Sequence, residues 1–268
     1  MDFDAYLARI GFEGRPAVDV ATLKQMQRRQ LLSIPYENID VQLGLKPNLD
    51  LQRAYTKIVE RGRGGWCYEH NGLLEWALKQ VGFEVMRMNA GVRRAERGDF
   101  ALGNHLVLCV QLDEPWLADA GFGDGAIEPV PLQAHAFEQR GFSYHLEQMG
   151  DYWRFHNHVG GAADSYDFRL KPANELLFEQ KCAWLSEAAE SPFVLNLTVQ
   201  QFTQQGYELQ LGRVAKQVTP SGRREWLVDS AGELVGSLRD RFGLDVPEVA
   251  GLWDRICARH EALFAEED

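Results

Sequence analysis

Apolar positions recur at helical spacing through most of the first eighty residues. The segment 21–34 places Leu23, Met26, Gln27, Leu31 and Ile34 near one face, and 49–62 does the same with Leu51, Ala54, Tyr55, Ile58 and Val59. In 66–83 the face is Leu73, Leu74, Ala77, Leu78 and Val81, with Gly82 where a helix ends in a left-handed residue. Pro35 and the glycines at 62, 64 and 65 punctuate these elements. From Phe83 the period shortens. Segments 83–94, 105–112, 115–122, 143–149, 151–157 and 164–170 are short, rich in aromatic and β-branched residues, and separated by turn formers, which predicts strands. Strands that follow one another without helices between them imply an antiparallel sheet or barrel. A helix over 173–190, strands at 193–200, 207–218 and 224–229, and helices near 231–241 and 247–264 complete the pattern. The expected class is α+β in three parts: helical over 1–83, β over 84–190 and smaller mixed α/β over 191–268.

Composition narrows the function classes. The chain has 268 residues, 45 % hydrophobic and 25 % charged, an ordinary globular balance with enough length to bury a core without disulfide or metal staples. No apolar run reaches the roughly eighteen residues of a membrane span. The N-terminus carries Asp2 and Asp4 and lacks the pattern of a signal peptide, so a cytoplasmic location without membrane partners is expected. Lys+Arg 28 against Asp+Glu 39 gives a net charge of -11, which argues against a nucleic-acid partner. The four cysteines show no CxxC or Cys/His zinc spacing, and no metal is expected. Cys109, in an apolar run, and Cys182 and Cys257, in helical stretches, read as small buried hydrophobes in a reducing compartment.

Cys67 stands apart. Gly64, Gly65 and Trp66 precede it, and it opens an amphipathic helix, where backbone N–H groups favour a thiolate. A cysteine nucleophile needs a base and an orienting group. His70 lies one turn along the same helix and is poorly placed to face the sulfur. His105 stands at the mouth of an apolar strand after Gly103 and Asn104, a position open both to a base and to an ordinary exposed strand end. His135, His145, His156, His158 and His260 sit in polar or alternating contexts and read as surface residues. For the third member, Asp119 precedes Gly121-Phe122-Gly123, and Asp124 follows them. A simple hairpin about 113–115 favours Asp124, so spacing alone leaves both open.

The segments RGGWCYEHN around Cys67, HLVL led by His105, DAGFG at 119–123, IPYENIDV at 34–41 and DAYLARIGF at 4–12 together resemble the arylamine N-acetyltransferase family. The resemblance implies a cysteine–histidine–aspartate triad, with Asp119 as the acid, on a core similar to papain-like proteases and transglutaminases. It implies an N-terminal helical bundle, a central antiparallel β-barrel and a C-terminal α/β lid. It also implies ping-pong transfer from acetyl-CoA, through acetyl-Cys67, to an aromatic amine or hydrazine. On the same basis Tyr36, Val92 and Phe122 would line the acceptor pocket, the backbone N–H groups of Tyr68 and Gly103 would form the oxyanion hole, and Arg9, Glu37 and Arg63 would form a structural charged cluster. Tyr36, often Phe in relatives, and His70, apolar in relatives, are departures. No phosphate-binding glycine fingerprint is present, so the residues that hold CoA are not marked in the sequence, and Arg93 and Arg94 read as solvated surface arginines ahead of phosphate contacts. Other reactions on such a triad are thiol hydrolysis and macrocycle closure by an amide synthase using a carrier-bound acyl-thioester; a non-catalytic binding module would not require the triad.

Overall fold

Local capping sets where the N-terminal helices begin. Asp2 accepts from the N–H groups of Asp4 and Ala5 to start Phe3–Ile10, and Asp19 accepts from Thr22 to start Val20–Ser33. A short helix, Leu51–Tyr55, passes into a π-helical turn over Thr56–Glu60. The helix Cys67–Val81 lacks a Ser, Thr or Asp cap. Its third residue, Glu69, instead reaches back to the Trp66 N–H at 3.1 Å, and Gly82 (φ 108°) closes the other end. The computed structural model describes residues 1–264.

Two antiparallel sheets follow. The larger has eight strands, in spatial order Val130–Pro131, Pro115–Ala118, His105–Gln111, Glu84–Val92, Ser165–Phe168, Tyr152–His156, Phe142–Met149 and His135–Gln139. This corrects the expected closed barrel. The two outer strands, Val130–Pro131 and His135–Gln139, are neighbours in sequence, so the sheet must curl until its edges approach. No ladder joins them among the described residues. One edge is only two residues long and includes Pro131, which has no N–H to donate. The result is a half-barrel with an open seam.

The smaller sheet runs Tyr36–Glu37, Thr198–Phe202, Tyr207–Leu211, Val214–Thr219 and Gly222–Leu227. Its first strand comes from the N-terminal part of the chain, pairing Tyr36 with Gln200 and Glu37 with Val199. The strand expected from residue 193 begins at Thr198. Ser191 caps a helical turn over Pro192–Leu195, and Pro192 suits its first position. The C-terminal helices are Ala231–Phe242 and Trp253–Phe264.

The main core is continuous from the helices into the half-barrel, with Tyr6, Trp66, Leu74 and Leu78 packed in one cluster with Met88, Leu106, Leu108, Phe155 and Phe168. A second cluster joins Ile39 to Leu197, Val199, Leu234, Leu238 and Phe242. The helix that starts at Cys67 is therefore clamped against the strand that starts at His105. Among the described residues no helix is long and apolar enough to cross a membrane.

Candidate active site

Cys67 reaches its position through a loop in which side chains are excluded. A Cβ on Gly64 would lie 2.2 Å from the Pro35 carbonyl oxygen. The Gly65 N–H donates to that same oxygen (3.1 Å), and the Gly65 carbonyl accepts from the Glu37 N–H (2.8 Å). On the far side, a Cβ on Gly121 would come within 2.7 Å of the Cys67 Cα and the Asn71 side chain. The two glycine motifs thus let the chain close around the sulfur.

His105 and Asp119 meet at the mouth of the sheet, with His105 Nε2 2.7 Å from Asp119 Oδ2. Both line up by strand register. Leu108 pairs with Ala118 and Gln111 with Pro115. Continuing that register puts Asp119 opposite Val107, one diagonal step from His105 on the same face. Asp124 has the opposite parity. It turns away to accept from Asn157 Nδ2 (3.0 Å) and the Ala162 N–H (2.6 Å), and burial raises its pKa. A simple hairpin about 113–115 sets His105 opposite 122–123, whereas the ladder continued from Leu108–Ala118 sets it opposite Gly121, which brings Asp119 rather than Asp124 within reach of the imidazole.

Asp119 is held from every side. Its Oδ1 accepts from Asn71 Nδ2 and the Gly121 N–H, each at 2.8 Å, and its own N–H donates to Gln27 Oε1 (2.9 Å). Asn71 also donates to the Leu106 carbonyl (2.6 Å) and accepts from the Ala120 N–H (2.7 Å), tying the Cys67 helix to both neighbouring strands. The Phe122 and Tyr166 rings pack on the imidazole, with centroids 5.6 and 5.2 Å away. Asp119 engages Nε2, which leaves Nδ1 as the other nitrogen of the ring.

The sulfur sits in an unfriendly place for a lone anion. Burial and the Asp119 charge push the Cys67 thiol up, while the N–H groups of Tyr68 and Leu106 pull it down. The helix N-terminus anticipated from sequence therefore acts, but does not dominate.

Tyr36, Val92 and Phe122 line one cavity of about 320 Å³ together with Cys67 and His105. Arg93, Arg97, Lys181 and Trp184 also line it. Arg94 does not; its guanidinium bonds to Asp99 and Asp167 and stacks on Tyr152. Of the two expected oxyanion donors, the Tyr68 N–H points at the sulfur, but the Gly103 N–H donates to the Ala90 carbonyl at 2.9 Å. Gly103 is thus corrected as a donor. The Leu106 N–H, unmarked by sequence reasoning, takes its place beside the sulfur.

The charged cluster is wider than expected. Arg63 pairs with Glu37 (2.7 Å) and Asp40 (2.9 Å), and Lys57 pairs with Asp40 and Glu69 at 2.9 Å each. Arg9 lies beside it but directs its guanidinium to the Ile58 and Ser33 carbonyls. Glu69 links this network to the helix cap, so the ion pairs fix where Cys67 starts its helix. Lys57 and Asp40 carried no sequence signal. Glu69 did, since Glu at the third helical position is the mark of a capping box.

One histidine reading changes, and a second histidine gains a place in the core. His158 is buried among the Phe142, Tyr144 and Tyr207 rings rather than exposed. His70 is also buried, with Nε2 on the Pro35 carbonyl (3.1 Å) and its ring stacked on Tyr36. It supports the cavity wall from behind. Burial lowers its pKa from 6.5 to about 4, so it is neutral at pH 7. The unfolded chain binds this proton first as pH falls, so stability declines between pH 6.5 and about 4, by up to about 3 kcal/mol from this group. Chemical denaturation at stepped pH should show this slope, and His70→Gln should flatten it. An unchanged slope in the variant would place the loss elsewhere.

A cysteine opening a buried helix shares a cavity with the histidine of a histidine–aspartate pair at the end of a half-barrel, the kind of site an acyltransferase presents. A family model described as N-acetyltransferase matches residues 19–250. The arylamine N-acetyltransferase of Mycolicibacterium smegmatis is 36 % identical over 262 residues, covering 94 % of each chain. Human arylamine N-acetyltransferase 1 is 33 % identical over 218 residues, 72 % of this chain and 75 % of that one. Among solved structures, the Mycobacterium marinum enzyme in complex with CoA superposes with a TM-score of 0.86 at 27 % identity, covering 96 % of this chain and 98 % of that one. The chain belongs to the arylamine N-acetyltransferase family, and it is an acyltransferase.

Proposed function

We propose that this enzyme carries an acetyl group from acetyl-CoA to an aromatic amine or hydrazine by way of acetyl-Cys67. The observation that carries the reading is the meeting of Cys67 with the His105–Asp119 pair on the wall of an apolar cavity. His105 Nδ1 takes the thiol proton as the sulfur attacks the thioester carbonyl, and Asp119 stabilises the imidazolium and holds its tautomer. In this reading the N–H groups of Tyr68 and Leu106, which bond to the sulfur, are the donors offered to the carbonyl oxygen as it gains charge. The tetrahedral intermediate expels CoA as its thiol, which takes the proton from His105. The acceptor nitrogen then attacks the acetyl-cysteine, gives its proton to His105 and releases Cys67.

Tyr36, Val92 and Phe122 form the acceptor wall in this reading, and Arg93, Arg97 and Lys181 at the same cavity are the cations available to the phosphates of CoA. The CoA complex of the M. marinum relative supports a CoA donor. The parts 1–83, 84–190 and 191–268 then contribute the nucleophile, the His–Asp pair and a cover over the cavity, in a protein working in the cytoplasm. The apolar lining of the cavity favours a compact aromatic acceptor over the extended chain an amide synthase would have to fold back.

Intact-mass spectrometry after mixing with acetyl-CoA, without acceptor, tests the intermediate. A gain of about 42 Da, absent in Cys67→Ala and lost on adding an arylamine, is expected. No adduct on a protein whose Cys67 still alkylates would transfer the proposal to another acyl donor.

A further inference from the structure

On the outer face of the half-barrel, three side chains able to ligate metal converge. His145 lies directly opposite His156 across an antiparallel ladder, and Glu147 is the diagonal neighbour on the same face. One ligand atom from each lies within 4.8 Å of the others. The two imidazoles stack with centroids 5.4 Å apart and planes 18° from parallel, and His156 Nε2 is 2.7 Å from Glu147 Oε1. All three are half-buried. Arg154, the cross-strand partner of Glu147, directs its hydrogen bonds to Asp167 and reaches Glu147 only through its charge.

We propose that His145, Glu147 and His156 form a binding site for a borderline divalent transition ion, with Zn²⁺ as the best fit. Two imidazoles and one carboxylate are a ligand set that zinc accepts, with a fourth position open to water. Zinc bonds of 2.0–2.2 Å at tetrahedral angles set ligand atoms about 3.4 Å apart. Small side-chain rotations from the present spacing reach that value. The flanking positions permit them, since His145 faces Ala136 on one neighbouring strand and His156 faces Ser165 on the other, both small. The ion would replace the proton shared by His156 and Glu147 and cross-link two strands at their exposed face. The opposite face of the same strand carries Phe155, whose ring packs on Phe122 in the cavity wall, so the site is separated from Cys67 by the sheet itself.

Calorimetric titration of the full chain with ZnCl2 tests this, using Cys67→Ala as the background so that the active-site thiol does not compete. One saturable equivalent is expected, with a rise in Tm. His145→Asn and His156→Asn should each weaken binding by at least tenfold, and Glu147→Gln should weaken it less. Co²⁺ substitution should give the visible bands of nitrogen and oxygen ligation without cobalt–thiolate charge transfer. Binding that survives both histidine variants, a thiolate spectrum, or no saturable binding would each overturn the assignment. Unchanged circular dichroism in the variants excludes misfolding as the cause of lost binding.

Discussion

Asp119→Asn is expected to lower kcat/KM for acetyl transfer by about 10³- to 10⁴-fold with the fold intact. The neighbours of Asp119 explain why an isosteric change should cost so much. Asn71 Nδ2 and the Gly121 N–H both donate to Oδ1. An asparagine would keep its carbonyl oxygen toward those two donors and so present its NH₂ to His105 Nε2. The imidazole would then accept at Nε2 and carry its proton on Nδ1, the nitrogen that must receive the proton of Cys67. Packing by Phe122 and Tyr166 would hold the ring in place, so the loss would be of tautomer and charge rather than of geometry. Asp124→Asn is the control, because Asp124 serves Asn157 and Ala162 and not the imidazole. Steady-state kinetics of the two variants decide the matter: a larger loss in the Asp124 variant would move the third member of the triad.

His105→Gln should slow alkylation of Cys67 by iodoacetamide at pH 7 by at least about 10²-fold. Burial and Asp119 both oppose a negative sulfur, and the opposing N–H groups of Tyr68 and Leu106 remain in the variant. Removing the imidazole leaves the thiol with nothing to take its proton and no cation to balance the thiolate. The rate in the variant should climb only in alkaline solution, whereas the parent reacts near neutrality. Peptide mapping separates Cys67 from half-buried Cys257. Equal rates at pH 7 would mean that the helix N-terminus alone sustains the thiolate.

Much of this site was legible along the chain because its pieces are local. Gly-Gly-Trp before Cys67, a histidine opening an apolar strand, and Asp before Gly-Phe-Gly are short patterns with a physical purpose. The choice between Asp119 and Asp124 was not legible from spacing, since it depends on strand parity across a turn whose register only the folded sheet sets. Gln27, Lys57 and Tyr166 were invisible for a related reason. Gln27 accepts from the distant Asp119 N–H and Tyr166, on a strand, packs on His105, contacts that no local pattern announces, and a lysine in a helical turn gives no sign of whether it meets solvent or buried carboxylates. Closure of the sheet was equally beyond reach, because an open half-barrel and a sealed barrel share the same alternation and differ only at a two-residue edge containing Pro131. The early strand expected at 193 shows the converse, where an apolar run hid a capped turn at Ser191–Pro192.

The two-residue strand Tyr36–Glu37 connects what lies on its two sides. One edge is bridged to Gly65, two residues before Cys67, with the Glu37 N–H donating to the Gly65 carbonyl, and the other is paired to Gln200 and Val199 of the C-terminal sheet. One peptide segment is thus shared by the C-terminal sheet, a wall of the cavity and the loop that precedes Cys67. The last third of the chain borders the cavity, at Thr198 and Gln200, without containing Cys67, His105 or Asp119, so variation there alters the shape of the chamber and leaves those three side chains as they are.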